Sequence, residues 1–107
     1  MEDGNSSSKC VVLEKFKSVT PIFHALGDEN RQIIVMLLMD HGCLNVNQLT
    51  DNMVISRPAV SHHLKILRDA GLVIFKKSNT EKIYSLSPEA FLASFKDLIH
   101  TIETTLG

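Results

Sequence analysis

A mainly α-helical chain with one small β-hairpin is what this sequence predicts, on three observations. Apolar residues recur at helical spacing along most of the 107 positions. One region, 73–86, reads instead as two short strands around a polar turn. Just before it, a short helix and a tight turn lead into a helix, 57–70, with one apolar face and one small, polar, cationic face. An apolar content of 44% without any Trp allows one modest core of Leu, Ile, Val and Met, and hence a single domain.

Residues 1–9 are polar and Ser-rich and read as a disordered tail ahead of that single domain, 10–107. From Cys10 to Leu26, the residues Val12, Phe16, Val19, Ile22, Phe23 and Leu26 keep helical spacing. Pro21 cannot donate to the preceding turn, so the pattern predicts one helix, a break at Thr20-Pro21 and a short second helix. Asp28 caps a helix over Glu29–Asp40 whose run from Ile33 to Met39 is apolar on nearly every side, the mark of a central helix packed all round. Gly42 ends it. Asn45 and Gln48 have the spacing of a capping box, with Leu44 and Leu49 as its hydrophobic staple, and open a helix from Val46 to about Met53.

The helix 57–70 opens with Ser56 as cap and Pro58 in the first turn, where a missing N–H costs little. Gly71 closes it in a left-handed turn. At 100° per residue Val60, Leu64 and Leu67 line one face, while Pro58, Ser61, His62 and Lys65 lie roughly opposite. Such a helix can dock by its back and offer its front to a DNA major groove. The alternative is an ordinary amphipathic helix with a solvated face.

Val73–Lys77 and Lys82–Leu86 read as strands joined by the turn 78–81. A hairpin directly after a helix-turn-helix is a wing, so the predicted architecture is a winged helix-turn-helix. Lys76, Lys77 and Lys82 on this wing, 73–86, have the reach for backbone phosphates beside the groove. Ser87-Pro88 then starts a terminal helix with an apolar stripe at Phe91, Phe95, Leu98, Ile102 and Leu106. That stripe either closes the core or pairs with a second subunit. The second use is favoured, with the N-terminal helix joining in, because such a half needs a twin to read a symmetric site.

Net charge is −1, yet between Asn52 and Leu86 six cations face only Asp69 and Glu81. The rest of the chain carries five cations and ten acids, so the positive charge is concentrated where a phosphate-binding surface would be. No Gly-rich phosphate loop, nucleophile–base pair or carboxylate pair points to an enzyme. No apolar run is long enough for a membrane span and no signal peptide is evident, so a cytoplasmic protein is expected. Cys10 and Cys43 lack the pairing of a disulfide framework.

The stretch Phe23-His24-Ala25-Leu26-Gly27-Asp28-Glu29-Asn30-Arg31, and then Ser61-His62-His63-Leu64-Lys65-Ile66-Leu67-Arg68-Asp69-Ala70-Gly71-Leu72-Val73, closely resemble the ArsR-type (ArsR/SmtB) winged-helix repressors. The resemblance runs from about Phe16 to the end of the chain. It implies a homodimeric DNA-binding transcriptional repressor with interface helices at both ends, an operator read as an imperfect palindrome, and release when an effector binds. Carried over by position, Ser56, Arg57, Ser61, His62 and Lys65 fall on the major-groove side. His63 joins them as a DNA contact or, being at the edge of the buried face, serves the structure. The other reading is a winged-helix module that uses the same helix for a partner protein and binds no DNA.

The family's arsenic and cadmium sensors carry a Cys-x-Cys-type motif whose positions here hold Asn45 and Asn47, and amides do not replace thiolates for soft metals. Cys10 and Cys43 remain as candidates for a redox pair or a share in a metal site. Another sensor type binds zinc across paired terminal helices. His100 and Glu103 reproduce the second half of that motif, whereas the first half falls on Ser87 and Glu89. Glu89, His100 and Glu103 are therefore the candidates for a zinc-type divalent metal acting as effector, against the plainer reading of a solvated polar face.

Overall fold

The computed structural model describes residues 2–107, with side chains at 10–87, 89 and 91–107. The chain runs α1 (Glu2–Leu26), α2 (Glu29–His41), β1 (Cys43–Asn45), α3 (Val46–Asp51), α4 (Arg57–Asp69), β2 (Val73–Ser78), β3 (Glu81–Leu86) and α5 (Pro88–Leu106). It is the expected helical fold with a wing, corrected at several points.

The first correction is at the N-terminal end. α1 is one continuous helix, Glu2–Leu26, that runs through Pro21 without the expected break. Val19, Ile22 and Ala25 are all buried on either side of the proline, and that burial holds the helix together across the lost hydrogen bond. In the preceding turn the Ser18 hydroxyl donates to Lys15 O at 2.7 Å and the Thr20 hydroxyl to Phe16 O at 2.9 Å. α1 lies along α5, tied by the Lys15 Nζ–Asp97 Oδ2 pair at 2.7 Å and an edge-to-face contact of Phe23 with Phe95 at 5.3 Å.

α2 starts where Asp28 accepts from the Arg31 amide. It is not packed all round: Ile34 and Leu38 are buried, but Met36 and Met39 are 62% and 65% exposed. α1, α4 and the sheet pack against α2, and among the described residues Met36 and Met39 stay exposed on its other side. After Gly42 the chain forms β1, a strand the pattern did not reveal. It pairs antiparallel with β3, Leu44 opposite Tyr84, giving the sheet order β1-β3-β2. Asn45 then closes the capping box, its side chain accepting from the Gln48 amide while Gln48 Oε1 accepts from the Asn45 amide, both at 2.8 Å. α3 is shorter than expected and stops at Asp51.

α4 buries Val60, Leu64 and Leu67 completely, as its sequence dictates. Each such side chain contributes about 1.5–3 kcal/mol by leaving water. The Ser56 hydroxyl accepts from the Ala59 amide, and the helix ends in a Schellman turn: Leu72 N donates to Leu67 O and Gly71 N to Arg68 O, with Gly71 at φ 82°. The wing hairpin closes on the two residues Asn79 and Thr80, with Asn79 at φ 59°. At the start of α5, Ser87 occupies the cap position without side-chain capping. Its φ and ψ of −122° and 74° lie outside cap geometry, and its amide instead donates to Leu72 O at 2.9 Å. No helix is long and apolar enough to cross a membrane among the described residues.

Candidate nucleic-acid interface

Arg57, Ser61, Lys65 and Arg68 recur every three or four residues along the face of α4 opposite its buried stripe. The wing folds back beside them. Between helix and hairpin lies an open cleft of about 560 Å³ lined by these four residues, by Asn45 and Asn47, and by Thr80, Glu81, Lys82 and Tyr84. With Val46, which completes the lining, four of the eleven are cations and one is an acid.

Local chemistry fixes several of these groups. Arg57 Nε donates to Asn47 Oδ1 at 2.8 Å, which steers the guanidinium and leaves its two terminal nitrogens unspent on that bond. Lys65 Nζ rests on Asp69 Oδ2 at 3.0 Å, one helical turn away. The Arg68 guanidinium and the Lys82 ammonium both lie over the Phe75 ring, at 5.0 and 4.8 Å from its centroid, so the ring holds two cations at the seam of helix and wing. Asn45 Nδ2 donates to both Glu81 carboxylate oxygens at 3.4 Å, which fixes the one acid of the cleft at the wing tip.

The residues expected at the site are not all brought together. Ser56 sits at the N-terminus of α4, where its hydroxyl proton stays available while a lone pair caps the helix. Arg57, Ser61, His62 and Lys65 are exposed on the front of α4. Lys77 and Lys82 pair directly across the hairpin and share one face, whereas Lys76 pairs with Ile83 and points to the other. His63 is turned inward. Its Nδ1 lies 3.1 Å from Arg31 Nη1, and burial pushes the imidazole below its ordinary pKa, with Arg31 and His62 acting the same way and the Asp28 carboxylate opposing.

Three participants are not among the residues expected at the site. Arg68 was legible, being three residues beyond Lys65 on the same stripe. Asn47 had no signal, because its role depends on an arginine ten positions later. Arg31 is only 7% exposed and anchors the back of the unit. Its Nε donates to Ala25 O at 2.7 Å and its Nη2 to His24 O at 3.2 Å. The positions set aside for an effector stay apart from this site. Cys10 and Cys43 are free, exposed thiols. Among the described residues no three His, Cys, Asp or Glu side chains gather as a metal ion requires, so Glu89, His100 and Glu103 do not make a zinc site within one protomer.

A helix docked by its apolar back, with a cationic front and a lysine-bearing hairpin at its side, defines a winged helix-turn-helix transcriptional regulator that binds DNA. The sequence profile described as "Bacterial regulatory protein, arsR family" matches residues 28–74. The chain is 38% identical to the HTH-type transcriptional regulator Rv2034 of Mycobacterium tuberculosis, over 80% of this chain and 79% of that protein. It is 33% identical to the arsenical resistance operon repressor of Bacillus subtilis, over 77% and 75%. Its fold superposes on an ArsR-like transcriptional regulator from Rhodococcus sp. RHA1 with a TM-score of 0.76 at 26% identity, covering 86% of this chain and 83% of that one. The chain belongs to the arsR family of bacterial regulatory proteins.

Proposed function

We propose that two copies of this chain form a homodimeric repressor that lays α4 of each protomer into the major groove of an imperfect palindrome. The cleft between α4 and the wing carries this reading, because four cations on two elements converge around it. Ser56, Arg57, Ser61, His62 and Lys65 face the bases and the nearest phosphates, Lys82 and Lys77 reach the backbone from the wing, and Lys76 approaches from the wing's outer face. Arg68 joins the phosphate contacts. His63 belongs to the supporting structure.

Support for the dimer comes from the helix pair at the chain's two ends. α1 and α5 bury one side against each other and leave Leu13, Phe16, Leu92, Ile99 and Leu106 exposed, a larger apolar surface than a lone regulator needs. The name of the Bacillus relative supports repression as the outcome. An effector metal gains no support from the residues present in one protomer.

Selection from a random duplex library tests the reading. The expected product is an inverted repeat with half-sites about 10 base pairs apart, centre to centre, and binding that weakens steeply with salt. Recovery of unrelated duplexes, or equal affinity for selected and scrambled sequences at physiological salt, overturns it. Ile99→Glu should give a monomer in sedimentation and lose the palindrome preference.

A further inference from the structure

We infer that Arg31 and His63 form a positioning joint that sets the angle of α4 against the helix pair α1–α5, and that this joint holds only while His63 is neutral with its proton on Nε2. The inference rests on the DNA-binding dimer proposed above and adds a determinant of specificity that lies behind the reading face.

The geometry is restrictive. The last carbonyls of α1 have no partner within their own helix. Arg31 supplies one with Nε at Ala25 O (2.7 Å) and another with Nη2 at His24 O (3.2 Å), while Gln32 Nε2 takes Leu26 O at 2.7 Å. Two of the three arms of the guanidinium are thereby committed to the end of α1. The third, Nη1, reaches His63 Nδ1 on α4 at 3.1 Å. One rigid planar group thus bolts the dimerising helix to the reading helix.

An arginine has donors only, so the His63 nitrogen facing it must present a lone pair. The imidazole proton is consequently on Nε2. Adding a second proton places two donors and two cations face to face at this distance and removes the bond. The charged groups around His63 are the Asp28 carboxylate at the α1–α2 junction, the Arg31 guanidinium on α2 and the neighbouring His62 ring on α4. Only Asp28 favours the protonated ring, and its carboxylate is already held by the Arg31 amide. The net effect of this environment is a lowered imidazole pKa, consistent with a nitrogen that must keep its lone pair.

The consequence is a specificity that falls with pH. The quantity to follow is the ratio of affinities for the selected inverted repeat and a scrambled duplex, in which any change common to both duplexes cancels. That ratio should be flat from about pH 8 to 7 and fall by about tenfold as His63 protonates below its ordinary range. His63→Asn, whose side-chain oxygen stands in for Nδ1 and does not titrate, should keep the neutral-pH ratio at every pH with an unchanged unfolding midpoint. His63→Leu, with no acceptor, should show the lowered ratio throughout. If His63→Leu fails to fold, the comparison of wild type with His63→Asn still decides. A wild-type ratio independent of pH, or a His63→Asn profile that follows the wild type, overturns the inference. Nitrogen-15 NMR of the His63 ring in the DNA-free protein adds an independent arm: a neutral ring protonated on Nδ1 overturns the joint without reference to DNA. A wild type lacking any duplex preference ends the underlying reading and this inference with it, and the tautomer tells that failure from a failure of the joint alone.

Discussion

Lys65→Met separates the reading face from the fold, because Lys65 and its partner Asp69 are 66% and 58% exposed. An exposed pair one helical turn apart contributes only about 0.3–0.5 kcal/mol, which amounts to about 2 °C in the unfolding midpoint of a domain this size. The effect on DNA is much larger. Each phosphate contact contributes about 0.9 to the slope of log affinity against log salt, so two copies in a dimer contribute about 1.8. Between about 50 and 200 mM salt, a fourfold change, the wild type should therefore lose about tenfold more affinity than the variant. Fluorescence anisotropy with a labelled inverted repeat across that range gives both slopes, and differential scanning calorimetry gives the midpoints. An unchanged slope would show that Lys65 meets no phosphate. A midpoint falling in step with affinity would show that the lysine serves the fold, and the argument from its exposure would fail.

The same reasoning gives other expectations. Asn47→Ala should leave folding intact but lower affinity for the inverted repeat several-fold, since Arg57 loses the bond that aims it; competition binding measures this. Leu64→Ala, from a side chain fully buried behind the reading face, should cost about 2–5 kcal/mol in urea unfolding and lower DNA affinity together with stability. Gly71→Ala should cost about 1 kcal/mol, because a Cβ there meets nothing within 4 Å but the φ of 82° disfavours any L side chain; Gly71→Asn should cost less. The bond from the Arg31 amide, followed by the Arg31 charge, holds the Asp28 carboxyl below its usual range, with desolvation opposing. Its contribution to stability is complete above the ordinary carboxylate pKa and is lost as pH falls through the lowered one. Thermal unfolding from about pH 6 to 3 should show this decline, and Asp28→Asn, which still caps α2, should show less of it.

What the sequence reveals and what it hides divide along the range of the interactions. Ser56, Gly71 and the Asn45–Gln48 box act within four residues, so caps, turns and the faces of α4 follow from local rules. The same applies to Arg57, Ser61 and Lys65, whose shared face is a matter of helical angle. β1 was hidden because three residues are too few to show alternation, and its partner lies some forty positions away at Ser85–Ile83. Pro21 misled because a local penalty was outweighed by the burial of Val19, Ile22 and Ala25. α2 misled in the opposite sense: its apolar run promised enclosure, but the chain has too few elements to surround it. Arg31 and His63 meet across thirty-two positions, and no periodicity encodes such a meeting. Lys76 and Lys77 look equivalent as neighbours, yet a pleat sends them to opposite sides.

The sheet order β1-β3-β2 has a mechanical consequence. The inner strand of the hairpin is stitched along its other edge to Cys43–Asn45, the segment that runs straight into α3. A flap hinged only at its base could follow the contour of whatever duplex it met. This one is braced on two sides and shares a foundation with the helix beside it. The wing is therefore held at its base, from Ile83 to Ser85, and any adjustment to the contour of a duplex is left to its outer half, where the hairpin strands have only each other.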